Sequence, residues 1–99
     1  MTKRFIVALN LSEKEQDFKF IEFLNKKKLA WWHWIDSFWL VVDYSGELNA
    51  EKLHDKIMKI YLRENLVIEL RGKDHTWYGF GPNGKDYSMF EWLEKTWSS

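Results

Sequence analysis

The 99-residue sequence contains no cysteine, a single proline and no excess of either charge. Without cysteine it can form neither disulfide bonds nor thiolate metal sites. Cysteine usage therefore does not indicate in which cellular compartment the protein lies. Lysine plus arginine number 15, as do aspartate plus glutamate, which argues against a protein held to duplex DNA mainly by bulk charge. The apolar segment after Arg4 is too short for a signal peptide or a membrane span. We therefore expect a cytoplasmic protein that does not engage a membrane.

Aromatic residues, in contrast, are abundant: they make up 18% of the chain and include seven tryptophans. Residues 29–43 hold four of these tryptophans. This stretch predicts two strands joined by a turn at Asp36 and Ser37, because Trp, Ile, Val and Phe suit a pleated surface while Asp and Ser suit turns.

Side chains alternate across a strand, which gives this predicted hairpin two different faces. The apolar face comprises Trp32, Trp34, Phe38, Leu40 and Val42. The mixed face comprises Trp31, His33, Ile35, Trp39, Val41 and Asp43. We expect helices to cover the apolar face, and a ligand or a partner subunit to lie on the mixed face.

A strand and a helix precede this hairpin. Residues 4–10 show the alternation typical of a strand. Ser12 and Glu15 form a capping box that predicts the start of the helix. Its end is predicted at the lysine run of residues 26–28, which suits the negative end of the helix dipole. The apolar positions at helical spacing between them are Phe18, Phe20, Ile21, Phe23 and Leu24.

A second helix and a fourth strand follow the hairpin. Asn49 is the predicted N-cap of this helix and Asn65 its predicted left-handed C-cap. One face of the helix carries Leu53, Ile57, Ile60 and Tyr61. Residues 66–71 form the fourth strand. The order βαββαβ predicts an α+β, ferredoxin-like fold, an antiparallel sheet with both helices on one face.

The last part of the chain differs in composition. After Gly72, residues 73–84 are predicted to form a glycine-punctuated aromatic loop, and Ser88 with Glu91 makes a second predicted capping box. A short terminal helix then carries Phe90, Leu93 and Trp97. We expect one domain, with residues 1–71 as the βαββαβ core and residues 72–99 as an extension.

Three segments carry a family resemblance. Residues 31–40 resemble the W-W-H-x-L-D-S-T-W-L signature of small bacterial and phage proteins known as the SinR family. Residues 7–18 resemble that family's first-strand segment and retain Gln16 and Asp17, and residues 72–79 resemble a third segment that contains a tryptophan. The family is similar in fold to the small CRISPR-associated endonucleases of the spacer-integration complex. The resemblance implies a ferredoxin-like fold and a homodimer.

One residue departs from the endonuclease pattern. In that group an aspartate at the end of the first strand binds a divalent metal across the dimer axis, and this chain has Asn10 there. An amide oxygen can ligate a hard cation, but it lacks the charge that lowers the pKa of bound water. The sequence therefore favours binding over catalysis, with no metal or cofactor. The endonuclease alternative needs another carboxylate, such as Asp43 or Glu69.

The candidate ligand contacts come mainly from the mixed face and the aromatic loop. His33 is either a ligand contact or a hairpin residue hydrogen-bonded to Asp36 or to backbone. Trp31 and Trp39 either stack on bases or close a dimer interface. The predicted ligand-binding residues are Asn10, Trp31, His33, Trp39, His75, Trp77 and Tyr78. The predicted phosphate-binding residues are Lys26, Lys27, Lys28 and Arg71.

The function predicted from these residues is non-catalytic binding of a nucleotide or short nucleic acid by a homodimer or larger assembly. In a phage setting this implies sequestration of a nucleotide signal from host defence. Two alternatives stay open. One is a divalent-metal-dependent endonuclease. The other is an inhibitor module that docks on a host protein through its tryptophan surface.

Overall fold

The computed structural model describes residues 2–70 and 89–98. The elements in chain order are β1 (Lys3–Leu9), α1 (Lys14–Lys26), β2 (Ala30–Ile35), β3 (Phe38–Asp43), α2 (Ala50–Tyr61), β4 (Asn65–Leu70) and α3 (Met89–Trp92). A π-helical turn, Leu93–Trp97, continues directly from α3, and the two together are called the C-terminal helix below. The predicted loop at residues 73–84 and the predicted cap Ser88 lie outside the described residues.

The four strands form one antiparallel sheet in the order β2-β3-β1-β4. At its centre Val7 of β1 lies opposite Trp39 of β3 and Val67 of β4. With the element order βαββαβ, this is the ferredoxin-like arrangement, and the predicted fold class is confirmed. The predicted turn at residues 36–37 is also confirmed, and Ser37 takes a positive φ of 61° there.

The helix boundaries differ from the prediction at two points. Helix α1 begins one residue later, with Glu13 as N-cap and the Glu13 N–H donating to Gln16 Oε1 at 3.1 Å. Helix α2 starts as predicted, since the Asn49 side chain accepts from Lys52 N at 2.8 Å. It ends at Leu62, which takes the left-handed conformation expected of Asn65. Asn65 is instead the first residue of β4, where it pairs with Leu9.

The mixed face of the β2–β3 hairpin lies beneath α1 and α2, so the prediction that these helices cover the apolar face is wrong. Trp39 and Val41 are completely buried there. They share one core with helix side chains and with three residues of β1 on the same face of the sheet: Phe5, Val7, Leu9, Phe20, Leu24, Leu53, Ile57 and Tyr61. Because β1 makes this face of the whole sheet strongly apolar, the free energy gained by burying it exceeds the cost of burying the few polar groups on the hairpin.

The buried apolar face of α1 is rotated about the helix axis relative to the predicted one. Phe20 and Leu24, four residues apart, face the sheet and are fully buried. Phe18 lies two residues before Phe20, on the far side of the helix, and is 63% exposed. The apolar face predicted for α2 is confirmed, with Leu53, Ile57 and Tyr61 buried.

The C-terminal helix covers part of the opposite face of the sheet. Trp92, Leu93 and Trp97 pack against hairpin residues of the apolar face, Trp32, Leu40 and Val42. Arg4, buried beneath this helix, donates from Nε to the carbonyl oxygen of Trp97. On β4, farther along the same face, Leu66 is 59% and Ile68 40% exposed.

Among these described elements, no helix combines the length and the apolar character needed to cross a membrane.

Candidate functional site

His33 is held from both sides within the fold. Its Nδ1 lies 2.9 Å from the carbonyl oxygen of Phe38, and because a carbonyl only accepts, Nδ1 carries a proton. Its Nε2 faces Asp17 Oδ2 at 3.7 Å. The ring stacks on Trp39, with centroids 3.7 Å apart and planes 2° from parallel. This geometry supports the structural alternative for His33, in which it fixes the hairpin through a neighbouring backbone group.

Asp17 joins His33 to the end of α2. Its Oδ1 accepts from the Tyr61 hydroxyl at 2.8 Å, and its Oδ2 accepts from Ser12 Oγ at 3.4 Å. Burial, together with the hydrogen bond to Asp17 and its negative charge, raises the pKa of Tyr61 far above the usual value. These contacts link the start of α1 to β2 and to α2. We conclude that the hydrogen-bonded cluster of Ser12, Asp17, His33 and Tyr61 stabilises the fold.

Trp31 and Trp39 were predicted either to stack on bases or to close a dimer interface, and both pack in the core instead. Trp39 is 0% exposed, so its ring presents no surface to a base or to a partner subunit, and neither expectation is met for it. Trp31 is half-buried, tilts against Trp39 at 5.7 Å between centroids, and donates its indole N–H to Asn25 Oδ1 at 3.0 Å. Both rings help α1 pack on the sheet.

Asp43, offered as a substitute metal ligand, is engaged by the loop after β3. Its Oδ1 accepts from the backbone N and the Oγ of Ser45 at 3.0 and 2.7 Å, and its Oδ2 accepts from Leu48 N at 2.8 Å. Burial by itself raises the pKa of Asp43, but hydrogen bonds from Ser45, Leu48 and Gly46 outweigh it, so the pKa is lowered. Asp43 therefore holds the chain as it enters α2.

Asn10 and Glu69 lie apart from each other and have their own partners. Asn10 is exposed at the end of β1 and donates from Nδ2 to Glu64 Oε1 at 2.8 Å. Glu69 accepts from Ala50 N at 3.1 Å and faces Lys3 Nζ at 4.0 Å. Within residues 2–70 and 89–98 no three histidine or carboxylate side chains gather where they could hold a metal ion.

Basic and aromatic side chains of the described residues gather on the outer side of the helix layer, between α1 and α2. Two adjoining cavities open there. The first, of about 410 Å³, lies between the end of α1, residues 44–49 and the start of α2. The second, of about 570 Å³, lies along α1 beside the middle of α2. Phe23 and Lys56 line both cavities. We call the two cavities together the lysine groove, after the side chains that line it: Lys19, Lys26, Lys27, Lys52, Lys56 and Lys59.

The side chains that line the lysine groove carry a small excess of positive formal charge. None of its lysines forms an ion pair with a carboxylate of the described chain. Lys56 Nζ lies 5.3 Å from the centroid of the Phe23 ring, a cation–π contact that holds the ammonium at the junction of the cavities. The start of α2 adjoins the first cavity and adds the positive end of its helix dipole. Acidic side chains also line the groove: Glu22, Asp43, Glu47 and Asp55.

The structure brings together part of the predicted phosphate site and adds to it. Lys26 and Lys27 line the groove, whereas exposed Lys28 lines neither cavity. Arg71, like the predicted ligand contacts His75, Trp77 and Tyr78, lies outside the described residues.

The lysines of α2 were missed by the sequence analysis. Lys52, Lys56 and Lys59 are spaced four and three residues apart, a pattern that places them on one face of a helix. That spacing is visible in the sequence. Their approach to the end of α1, however, depends on how the two helices pack.

No protein-family model, curated protein or solved structure matches this chain.

Proposed function

We propose that this protein binds a nucleotide or a short nucleic acid through the lysine groove, as a binding protein and not an enzyme. The observation that carries the proposal is the convergence of lysines from two helices on adjoining cavities that share the aromatic ring of Phe23. Ammonium groups bind phosphate as point charges, and the apolar side chains that line the first cavity offer a surface for a base.

The size and the charge of the groove favour a small ligand over a long duplex. Cavities of about 410 and 570 Å³ fall within the range typical of small-molecule sites. The formal net charge of the chain is zero, and acidic side chains stand among the lysines of the groove. Duplex binding usually uses a broad cationic surface. A nucleotide or a short single strand needs only a local one.

We further propose self-association, which the resemblance to the SinR family implies, and sequestration of a cytoplasmic nucleotide signal. Exposed Leu66 and Ile68 on the sheet face opposite the helices support self-association. Native mass spectrometry measures both properties, because it reports subunit number and any retained small molecule. We expect a dimer for the natural chain and a shift to monomer for Ile68→Lys. A natural chain that is monomeric and empty would contradict this part of the proposal.

The lysine groove is tested by removing its charges. We expect the double variant Lys52→Ala, Lys56→Ala to bind a fluorescently labelled short single-stranded DNA about tenfold to a hundredfold more weakly, because two charge-assisted contacts are lost. Fluorescence anisotropy at fixed ionic strength measures this affinity.

The matched control removes the same charge elsewhere. Lys14 and Lys95 are exposed and lie away from the groove, at the start of α1 and on the C-terminal helix. The variant Lys14→Ala, Lys95→Ala should keep nearly the natural affinity. Equal losses in both double variants would mean that binding is non-specific. No binding by the natural chain, to this DNA or to free nucleotides, would refute the proposed function.

A further inference from the structure

The two cavities of the lysine groove differ in chemistry. The first carries Glu47 and Asp55 among its lysines, together with the apolar side chain of Leu29. The second is lined by Lys19 and Lys26 with a single acidic side chain of the described chain, Glu22. The first cavity is therefore mixed in charge, while the second is mainly positive.

This difference orients a nucleotide. Carboxylates accept hydrogen bonds from sugar hydroxyls and base amino groups but repel phosphate. The half-buried side chain of Leu48 offers apolar surface to a base in the first cavity. The nucleoside part of a ligand is accordingly best placed in the first cavity, and its phosphates are best placed toward the second.

Lys56 connects the two cavities. It lines both, and its contact with the Phe23 ring holds the ammonium where they meet. A phosphate attached to a nucleoside in the first cavity can be bound by Lys56 or by the other lysines that line this cavity, Lys27, Lys52 and Lys59. A second phosphate, attached beyond the first, lies in the second cavity near the ammonium groups of Lys19 and Lys26. A ligand with one phosphate leaves those two lysines unused.

We infer that the ligand of the lysine groove spans both cavities and consists of a nucleoside bearing at least two phosphate groups. This inference rests on the proposed function and deepens it. Two sources supply this chemistry, a nucleoside polyphosphate and a 5′-phosphorylated dinucleotide. The number of phosphates, not the source, determines whether the second cavity is used.

Isothermal titration calorimetry with AMP, ADP and the dinucleotide pApA, and with their guanine counterparts, tests the inference. We expect at least one ligand with two phosphates to bind roughly tenfold tighter than its monophosphate, the gain of one charge-assisted contact. Lys19→Ala with Lys26→Ala should abolish that gain, so that ligands with two phosphates and with one bind this variant with similar affinity. The control Lys14→Ala, Lys95→Ala should preserve the gain. Preference for the diphosphate or for the dinucleotide identifies the source.

A second variant tests the orientation. Asp55→Ala should weaken monophosphate binding severalfold, because a nucleoside contact is lost, and should keep the ratio between the ligands with two phosphates and one. Tighter monophosphate binding by Asp55→Ala would place the phosphate in the first cavity and overturn the inference.

The remaining outcomes separate the inference from the proposed function. Equal affinities for one and two phosphates, unchanged by the Lys19 and Lys26 substitutions, would overturn the spanning ligand and leave nucleotide binding in place. If no probe binds the natural chain, the proposed function fails and the inference fails with it.

Discussion

The two faces of the sheet differ in a way that the β2–β3 hairpin alone does not predict. The face beneath α1 and α2 carries the polar groups His33 and Asp43 and is nevertheless the main core. The opposite face is more apolar along the hairpin, yet Leu66 and Ile68 remain exposed on it. Polar groups can be covered when the chain supplies their partners, as Phe38 does for His33 and Ser45 for Asp43. Which face of the sheet the helices cover therefore depends on the apolar residues of the whole sheet. It also depends on whether the chain supplies hydrogen-bond partners for the polar groups on that face.

The largest expected effect compares one isoleucine from each side of the sheet. Ile57 is fully buried beneath α2, whereas Ile68 is 40% exposed on the opposite face. We expect Ile57→Ala to lower the free energy of unfolding by about 2–5 kcal/mol, and Ile68→Ala, measured on the monomer, by about 1 kcal/mol or less. Urea denaturation followed by tryptophan fluorescence measures both. Similar losses for the two variants would mean that the faces are equally buried in solution.

Next in size is the buried carboxylate of Asp43. Asp43→Asn replaces an acceptor of several hydrogen bonds with an amide that accepts through only one of its two atoms. We expect a loss of about 1–3 kcal/mol at neutral pH. Because the folded pKa is lowered, this stability is present above the unfolded pKa and is lost as pH falls through the folded value. The difference between natural chain and variant should therefore shrink in acid, as urea denaturation at pH 7 and pH 3 would show. A pH-independent difference would argue against an ionised Asp43.

Tyr61 gives a smaller effect with the opposite pH dependence. Tyr61→Phe removes the hydrogen bond to Asp17, and we expect a loss of about 1 kcal/mol at pH 8. The folded pKa of Tyr61 is raised, so its contribution is present below the unfolded pKa of about 10 and is lost as pH rises beyond it. The gap between natural chain and variant should close by pH 11. A gap that widens there would show that the hydroxyl is not held by Asp17.

The smallest expected effect lies on the C-terminal helix. Lys95 and Glu91 form an ion pair one helical turn apart at 3.6 Å, and both side chains are largely exposed. Lys95→Ala should change the free energy of unfolding by no more than about 0.5 kcal/mol. A larger loss, measured by the same denaturation experiment, would show that the Lys95–Glu91 pair contributes more than an exposed ion pair ordinarily does.

Local patterns predicted the fold well because they act over short distances. The N-cap at Asn49, the turn at residues 36–37 and the helix end in the lysine run each depend on a few neighbouring residues. The order of these elements then determined the ferredoxin-like class. The errors at Asn65 and Phe18 are of another kind. The local sequence pattern around each residue fits two structural positions, and only tertiary packing distinguishes between them.

The candidate site was less predictable, for a physical reason. The lysine groove forms where the end of α1 meets the start of α2, and its residues are separated in sequence by the whole hairpin. The lysines at residues 26–28 suggested phosphate binding, but the sequence did not show that Lys52 and Lys56 would join them. We predicted a functional site on the mixed hairpin face because the sequence does not show which groups bind its polar side chains. In the fold, Asp17 and the Phe38 carbonyl face His33.

The central claim is that ligand binding belongs to the outer side of the helix layer and not to either face of the sheet. The most direct test is a two-dimensional ¹⁵N NMR titration of the natural chain with pApA. We predict that the largest amide shift changes fall on Phe23, Lys52 and Lys56, around the lysine groove. Changes concentrated instead on Phe38, Leu66 and Ile68 would contradict the account and move the binding site to the opposite side of the molecule.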